Sequence, residues 1–143
     1  MAAGKIKTYN PREVTISLGN HIAEGFAEDS FITIEPNGDG ITKVVGCDGE
    51  IVRSVSPDRT YNVRLALLMS SATCKFLQDK FDEDIANGNA LFPILIKDLK
   101  GGMVFQSDTC WVVRSAARQF GREAPDREWE LSTGEADLIE EGN

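Results

Sequence analysis

The chain has 143 residues, the length of one ordinary domain, and its 41% apolar and 27% charged content excludes a wholly disordered polymer. Fifteen Lys and Arg against 23 Asp and Glu leave a net charge of −8 with the single His neutral, which argues against a protein that grips nucleic-acid phosphates. Apolar runs such as Leu65–Met69 are far too short to span a bilayer.

The opening residues Met1 to Lys7 carry no apolar h-region and no Gly at position two, so neither a secretory signal nor myristoylation is expected. From Arg12 to Leu18 the pattern alternates, with Val14, Ile16 and Leu18 on one face, which predicts a half-buried strand. His21–Phe26 reads as a weaker strand interrupted by Gly25, and Phe31–Glu35 as a strand halted by Pro36-Asn37-Gly38-Asp39-Gly40. Gly38-Asp39-Gly40 lies between two strands rather than before a helix, so it reads as a hairpin turn and not as a phosphate loop. Ile41–Val45 and Ile51–Arg53 flank Asp48-Gly49, a hairpin signature, and Ser56-Pro57-Asp58-Arg59 reads as a further turn. Tyr61–Met69 is the longest expected strand.

The period then changes. Cys74, Leu77, Phe81 and Ile85 recur at spacings of three and four, which predicts one amphipathic helix over about 71–87, started by Ser70 or Ser71 and ended by Gly88. Lys75 with Asp79, and Lys80 with Asp84, stand one turn apart on its polar side. Strands resume at Leu91–Ile96, Met103–Gln106 and Cys110–Arg114, separated by turns at Gly101-Gly102 and Ser107-Asp108. Ser115–Asp126 reads as a long connection, Arg127–Ser132 as the last strand, and 134–143 as an acidic tail. The sum is a single domain, mainly β, with antiparallel strands and one flanking helix.

Chemistry is sparse. His21 is the only His, so a metal site or a Ser-His-Asp or Cys-His arrangement has no second partner, and it reads as a half-exposed strand residue. Cys47, Cys74 and Cys110 lie far apart with no Cys-x-x-Cys pair. They are expected to be free thiols in a reducing compartment, each a small buried hydrophobe. Asp82-Glu83-Asp84 are helix neighbours about 100° apart and do not converge as a glycosidase pair does. Asn37–Gly40 and Asp48–Glu50 lack EF-hand spacing. Trp111 and Trp129 lie in strands, where core packing is the default. Arg114, Arg118, Arg122 and Arg127 are offset by Glu123, Asp126, Glu128 and Glu130, which suits an ion-paired surface between subunits better than nucleic-acid recognition. Neither an enzyme nor a cofactor or metal is expected.

A longer pattern adds to this. Lys7-Thr8-Tyr9-Asn10-Pro11 with Val14, then Gly25-Phe26-Ala27, then Phe31-Ile32-Thr33-Ile34, resembles the opening of the PhiTE-type bacteriophage tail tube proteins. The resemblance continues through Val45-Gly46-Cys47-Asp48-Gly49-Glu50 with Arg53 and Ser54, and through Phe92-Pro93-Ile94-Leu95-Ile96-Lys97-Asp98. It closes with Phe120-Gly121-Arg122-Glu123, Arg127-Glu128-Trp129-Glu130 and Gly142-Asn143. Cys47, where a small residue such as Ala is expected, and the acidic Glu28-Asp29-Ser30 depart from the pattern.

That resemblance implies a small antiparallel β-sandwich or partial barrel whose hexameric rings stack into the inner tube of a long, contractile tail. Self-association, a sheath, a baseplate hub and a tape-measure protein are the implied partners. DNA is implied only as transient cargo without sequence-specific binding, and no membrane is involved. The implied location is the virion, with assembly in the host bacterial cytoplasm. Within that frame Thr15, Ser17, Thr33 and Glu35 are candidates to face the lumen, and an acidic wall would let DNA slide past without counterion release. The 38–58 segment, with Gly38, Asp39, Gly40, Gly46, Asp48, Gly49 and Glu50, is the candidate ring-stacking loop, followed by the 1–12 arm and the 134–143 tail. Arg122, Glu123, Arg127 and Glu128 are candidate inter-subunit charges. Three alternatives stand beside this one. One is the tube of a phage-derived contractile bacteriocin, and another is a monomeric β-sandwich binding module, for which two Trp and two Tyr offer few exposed aromatics. The third, an enzyme, would depend on His21.

Overall fold

The computed structural model describes residues 6, 8–27, 31–99 and 101–140. Glu28-Asp29-Ser30, most of the first seven residues and the last three lie outside the described residues. A 3₁₀ turn at Pro11–Glu13, capped by the Asn10 side chain accepting from the Arg12 amide, delays the first strand to Val14. β1 (Val14–Leu18) buries Ile16 and Leu18 completely, as its alternation demands. β2 (His21–Ile22) turns back on it and is shorter than expected, because Gly25 at φ +73° bends the chain and Phe26 makes only a single bridge to Leu67.

β3 (Ile32–Pro36) does not pair with the strand that follows it. Its partner is β6 (Tyr61–Leu68), in a register running from Ile32↔Leu65 to Pro36↔Tyr61. β4 (Ile41–Val45) and β5 (Ile51–Val55) form a separate two-stranded sheet. The Gly38–Gly40 segment is therefore a link into a projecting hairpin and not itself a hairpin turn. The reason is tertiary: β6 takes the edge that β4 would have used.

α1 (Ala72–Asn87) begins at Ser71, whose hydroxyl accepts from the Thr73 amide, and ends at Gly88 in the left-handed conformation at φ 71°. It buries Thr73, Cys74 and Leu77, with Phe76 and Phe81 packed against the core. Ile85 departs from the expected stripe at 74% exposure, because the second half of the helix overhangs the sheet. Lys75–Asp79 closes at 2.7 Å, but Lys80 reaches Glu83 at 3.7 Å, and Asp84 instead accepts from the Ala90 amide.

β7 (Phe92–Asp98) pairs with β1 on one side and with β8 (Met103–Arg114) on the other. β8 runs without a break through the expected Ser107-Asp108 turn. The polar pair there marks a register irregularity instead, and the Ser107 hydroxyl contacts the carbonyls of Thr109 and Glu135 at 3.0 and 2.9 Å. β9 (Asp126–Thr133) pairs with the far half of β8 and with β6. β10 (Ala136–Glu140), expected to be only an acidic tail, pairs with the near half of β8 from Ala136↔Ser107 to Glu140↔Met103.

The main sheet thus runs β2-β1-β7-β8-β9-β6-β3, with β10 also on β8. The long β8 serves two lobes, and their inward faces meet over one core. Ile16, Leu18, Ile94, Ile96 and Phe105 come from one lobe and Val63, Leu65, Leu67, Trp129 and Leu131 from the other. All ten are at most 1% exposed, and each contributes roughly 1.5–3 kcal/mol on burial. The architecture is the expected antiparallel β fold with one helix.

Candidate assembly surfaces

The β4–β5 hairpin leaves the body of the protein. All ten of its strand residues are exposed, among them Ile41, Val44, Val45, Ile51, Val52 and Val55 at 56–67%. Five residues at a β rise give a shaft of roughly 17 Å. The β-branched sequence favours the extended form, and Gly49 at φ +89° permits the tip. The tip is closed by Gly46 N–H to Glu50 O at 2.7 Å, Gly49 N–H to Gly46 O at 2.9 Å and Glu50 N–H to the Asp48 carboxylate at 3.0 Å.

The root carries ties of its own. Asn37 N–H donates to Thr60 O at 3.0 Å, Ser56 N–H to Gly40 O at 2.8 Å, and the Arg59 guanidinium to Ser56 O at 2.7 Å. The Thr60 hydroxyl and amide both donate to Asp58 Oδ1, at 2.7 and 2.9 Å, and hold its carboxyl below the usual pKa. Gly38 passes so close to Asp58 that a Cβ there would sit 2.7 Å from the Asp58 carbonyl oxygen. The seven residues expected in a stacking loop therefore share one rigidly rooted projection. Gly38, Asp39 and Gly40 stand at its base, and Gly46, Asp48, Gly49 and Glu50 at its tip. Cys47 is exposed at the tip, against its expected burial, whereas Cys74 and Cys110 are buried. Burial pushes the Cys110 thiol up to about 12.

The four candidate lumen residues all lie on the sheet face away from the core, but not together. Thr15 and Ser17 belong to β1 and Thr33 and Glu35 to β3, near opposite ends of the strand order. Next to β3 the open face carries the rung Thr33–Arg64–Glu130–Arg114, with Arg114 and Glu130 paired at 3.0 Å. A shallow depression of about 310 Å³ there is lined by Arg64, Arg114, Ser115, Ala116, Ala117, Glu128 and Glu130.

Of the expected inter-subunit charges, Arg122 and Glu123 are exposed on the loop before β9, while Arg127 is half-buried and Glu128 exposed on β9. That loop is held at its start by Arg118, which donates to Ser115 Oγ and Ala116 O at 2.6 Å and to Gln78 Oε1 at 2.9 Å. The Arg118 guanidinium also lies 5.7 Å from the centroid of the Trp129 ring. Trp129 is core, as expected, while Trp111 is half-buried on the opposite face of β8.

His21 is the half-exposed strand residue foreseen. Its Nε2 is 2.8 Å from the Thr73 hydroxyl, which also accepts from the Glu24 amide, and its ring stacks on Phe76 at 4.7 Å. It joins β2 to the start of α1. Among the described residues no group of three or more His, Cys, Asp and Glu side chains is placed to hold a metal ion. Among the described residues no helix is long and apolar enough to cross a membrane.

Sequence reasoning missed the apolar shaft. The signal was present: two β-branched five-residue runs facing each other across a Gly turn have too few polar positions for a solvated hairpin.

No family model matches the chain. In sequence it is 27% identical over 149 positions to "Structural protein ORF10" of Pseudomonas phage KPP10, an alignment covering 99% of this chain and 86% of that protein. In structure it is similar to a chain of the tube-terminating cap of the anti-feeding prophage, with a TM-score of 0.64 at 11% identity over 98% of this chain and 99% of that one. It is also similar to a chain of the extended sheath-tube complex of an extracellular contractile injection system, with a TM-score of 0.66 at 9% identity over 93% and 92% of the two chains. A chain of a native gene transfer agent virion gives a TM-score of 0.60 at 13% identity over 93% and 98%. At such identities the likeness establishes the fold, and the chain has the antiparallel β architecture found in components of contractile injection tubes.

Proposed function

We propose that this chain is a structural subunit of a bacteriophage tail tube, in which six copies close a ring, rings stack through the β4–β5 hairpin, and the genome passes through the lumen. The observation that carries the proposal is the rigidly rooted hairpin with an exposed apolar shaft, on a fold shared with tube components. In a monomer such a projection is an aggregation liability, and in a head-to-tail stack it is buried. The outer strands β2 and β3 leave sheet edges for a neighbour to pair with, and edge-to-edge closure of a ring removes them. Next to β3, the open face balances Arg64 and Arg114 with Glu35 and Glu130. A wall without surplus cations gives DNA no counterion-release affinity, which suits a conduit. Sheath, baseplate hub and tape-measure proteins are the further partners of this reading, the particle is its location, and it assigns no catalysis.

The bacteriocin alternative shares the fold but not the cargo, and the sequence similarity to a phage structural protein favours the phage reading. For the binding-module alternative, the strongly exposed aromatics among the described residues are Tyr9 and Phe120, on separate segments and not on one platform. The test is negative-stain electron microscopy across a concentration series, with mass from light scattering. Hexameric rings or hollow tubes are the expected result. A strict monomer, also when mixed with its baseplate and tape-measure partners, refutes the proposal.

A further inference from the structure

The hairpin has two different faces. Lys43 stands directly opposite Arg53, on the same side as the Ile41/Val55 and Val45/Ile51 rungs. The other side carries Thr42/Ser54 and Val44/Val52. Like charges directly opposite one another destabilise a strand pair. Among the described residues neither cation makes an ion pair. A cationic rung held between two apolar rungs, in a chain of net charge −8, is a costly feature for an isolated subunit. An acidic partner surface relieves that repulsion.

One such surface stands at the far end of the same strands. The hairpin prolongs β3 and β6 beyond the Pro36↔Tyr61 end. At the opposite end of β6, roughly 26 Å away along eight residues, Leu68 pairs with Asp126 and Ala66 with Glu128. Asp126 and Glu128 are exposed and have no ion-pair partner among the described residues. Arg127, between them in sequence, alternates to the other face of β9, the face of the buried Trp129 and Leu131. A head-to-tail contact between two copies brings one end of β6 against the other, and repeating it builds a filament.

We propose that the Lys43–Arg53 rung docks on a second copy of this chain, at the carboxylates of Asp126 and Glu128, so that charge sets the register of stacking while the apolar rungs are buried around it. This rests on the stacking reading above. Ion pairs at such a rim favour the alignment in which both cations meet carboxylates.

The experiment measures the critical concentration for assembly by sedimentation and electron microscopy, with circular dichroism confirming the fold of each variant. K43E/R53E is expected to raise it by at least ~10-fold, as is D126K/E128K, and combining all four changes is expected to restore it. Added salt should raise the wild-type critical concentration, but not that of K43A/R53A. V45S/I51S strips the apolar contact beside the cationic rung and should also block stacking. If the wild type never assembles, the tube reading fails and this one with it. If V45S/I51S stacks like the wild type, this face of the hairpin is not the stacking element and the proposal is overturned. If only V45S/I51S is impaired and both charge variants stack normally, the hairpin stacks without reading charge and the ionic proposal is overturned. If the four-fold variant stays unassembled, Asp126 and Glu128 are not the acceptors.

Discussion

Leu77 and Ile85 belong to the same helical stripe in the sequence, but the structure gives them opposite fates, and their alanine variants test that difference. Leu77 is 0% exposed and seals the core where α1 crosses the sheet, whereas Ile85 is 74% exposed. Leu77→Ala removes three buried carbons, about 2.4 kcal/mol at ~0.8 kcal/mol each. The cavity left between helix and sheet carries the total to roughly 3–5 kcal/mol, because the strands beneath cannot follow the missing side chain. Ile85→Ala exchanges an exposed β-branched residue for the best helix former, so its effect is within about 0.5 kcal/mol and of stabilising sign. Equilibrium urea unfolding of both variants beside the wild type measures the difference, with an unchanged m-value required for the comparison. In melting temperature the Leu77 variant should fall by about 10 °C and the Ile85 variant should hardly move. Equal losses at the two positions would refute the placement of the helix.

Gly25 adopts φ +73°, and a Cβ there would lie 2.7 Å from Ser71 Cβ, so Gly25→Ala should cost more than ~1–2 kcal/mol in urea unfolding. Gly49→Ala, also at positive φ but with nothing within 4 Å, should leave global unfolding unchanged, because it disturbs only the hairpin tip. Asp58 is held below its ordinary pKa by the Thr60 hydrogen bonds, so its support of the hairpin root is present above the unfolded carboxyl pKa and lost as pH falls through the lower folded value. Amide hydrogen exchange at Asn37 and Thr60 should accelerate in that acid window in the wild type and be pH-insensitive there, apart from intrinsic chemistry, in Asp58→Asn. Iodoacetamide at neutral pH should modify Cys47 alone in the native protein and all three thiols in denaturant. Cys110 is raised from 9.0 to about 12, so its contribution to stability is complete below pH 9 and is lost as pH climbs toward 12, an effect that Cys110→Ala should remove from the alkaline unfolding curve.

Much of this protein is legible in the residues alone, wherever the determinant is local. Alternation at Val14–Leu18 and Tyr61–Leu68, the Ser71 cap, the Gly88 stop and the Asp48-Gly49 tip each act over a few residues, and each lies where the pattern puts it. The fold class follows, as does the shared projection of the candidate stacking residues. Partner choice is not local. Nothing in Ile32–Pro36 says that it will pair with residues nearly thirty positions on, which turns the Gly38–Gly40 segment from a turn into a root. Ser107-Asp108 has turn chemistry, but β7 on one side and β9 and β10 on the other hold the chain extended there. Burial on the helix is likewise set by where the sheet ends beneath it, which separates Leu77 from Ile85 despite one period. Thr15 and Thr33 are polar faces of similar strands, and only the strand order decides that they stand far apart. Short-range stereochemistry selects the elements of this protein, and long-range pairing, decided by which edges and apolar faces fit together, selects what those elements present to a neighbour.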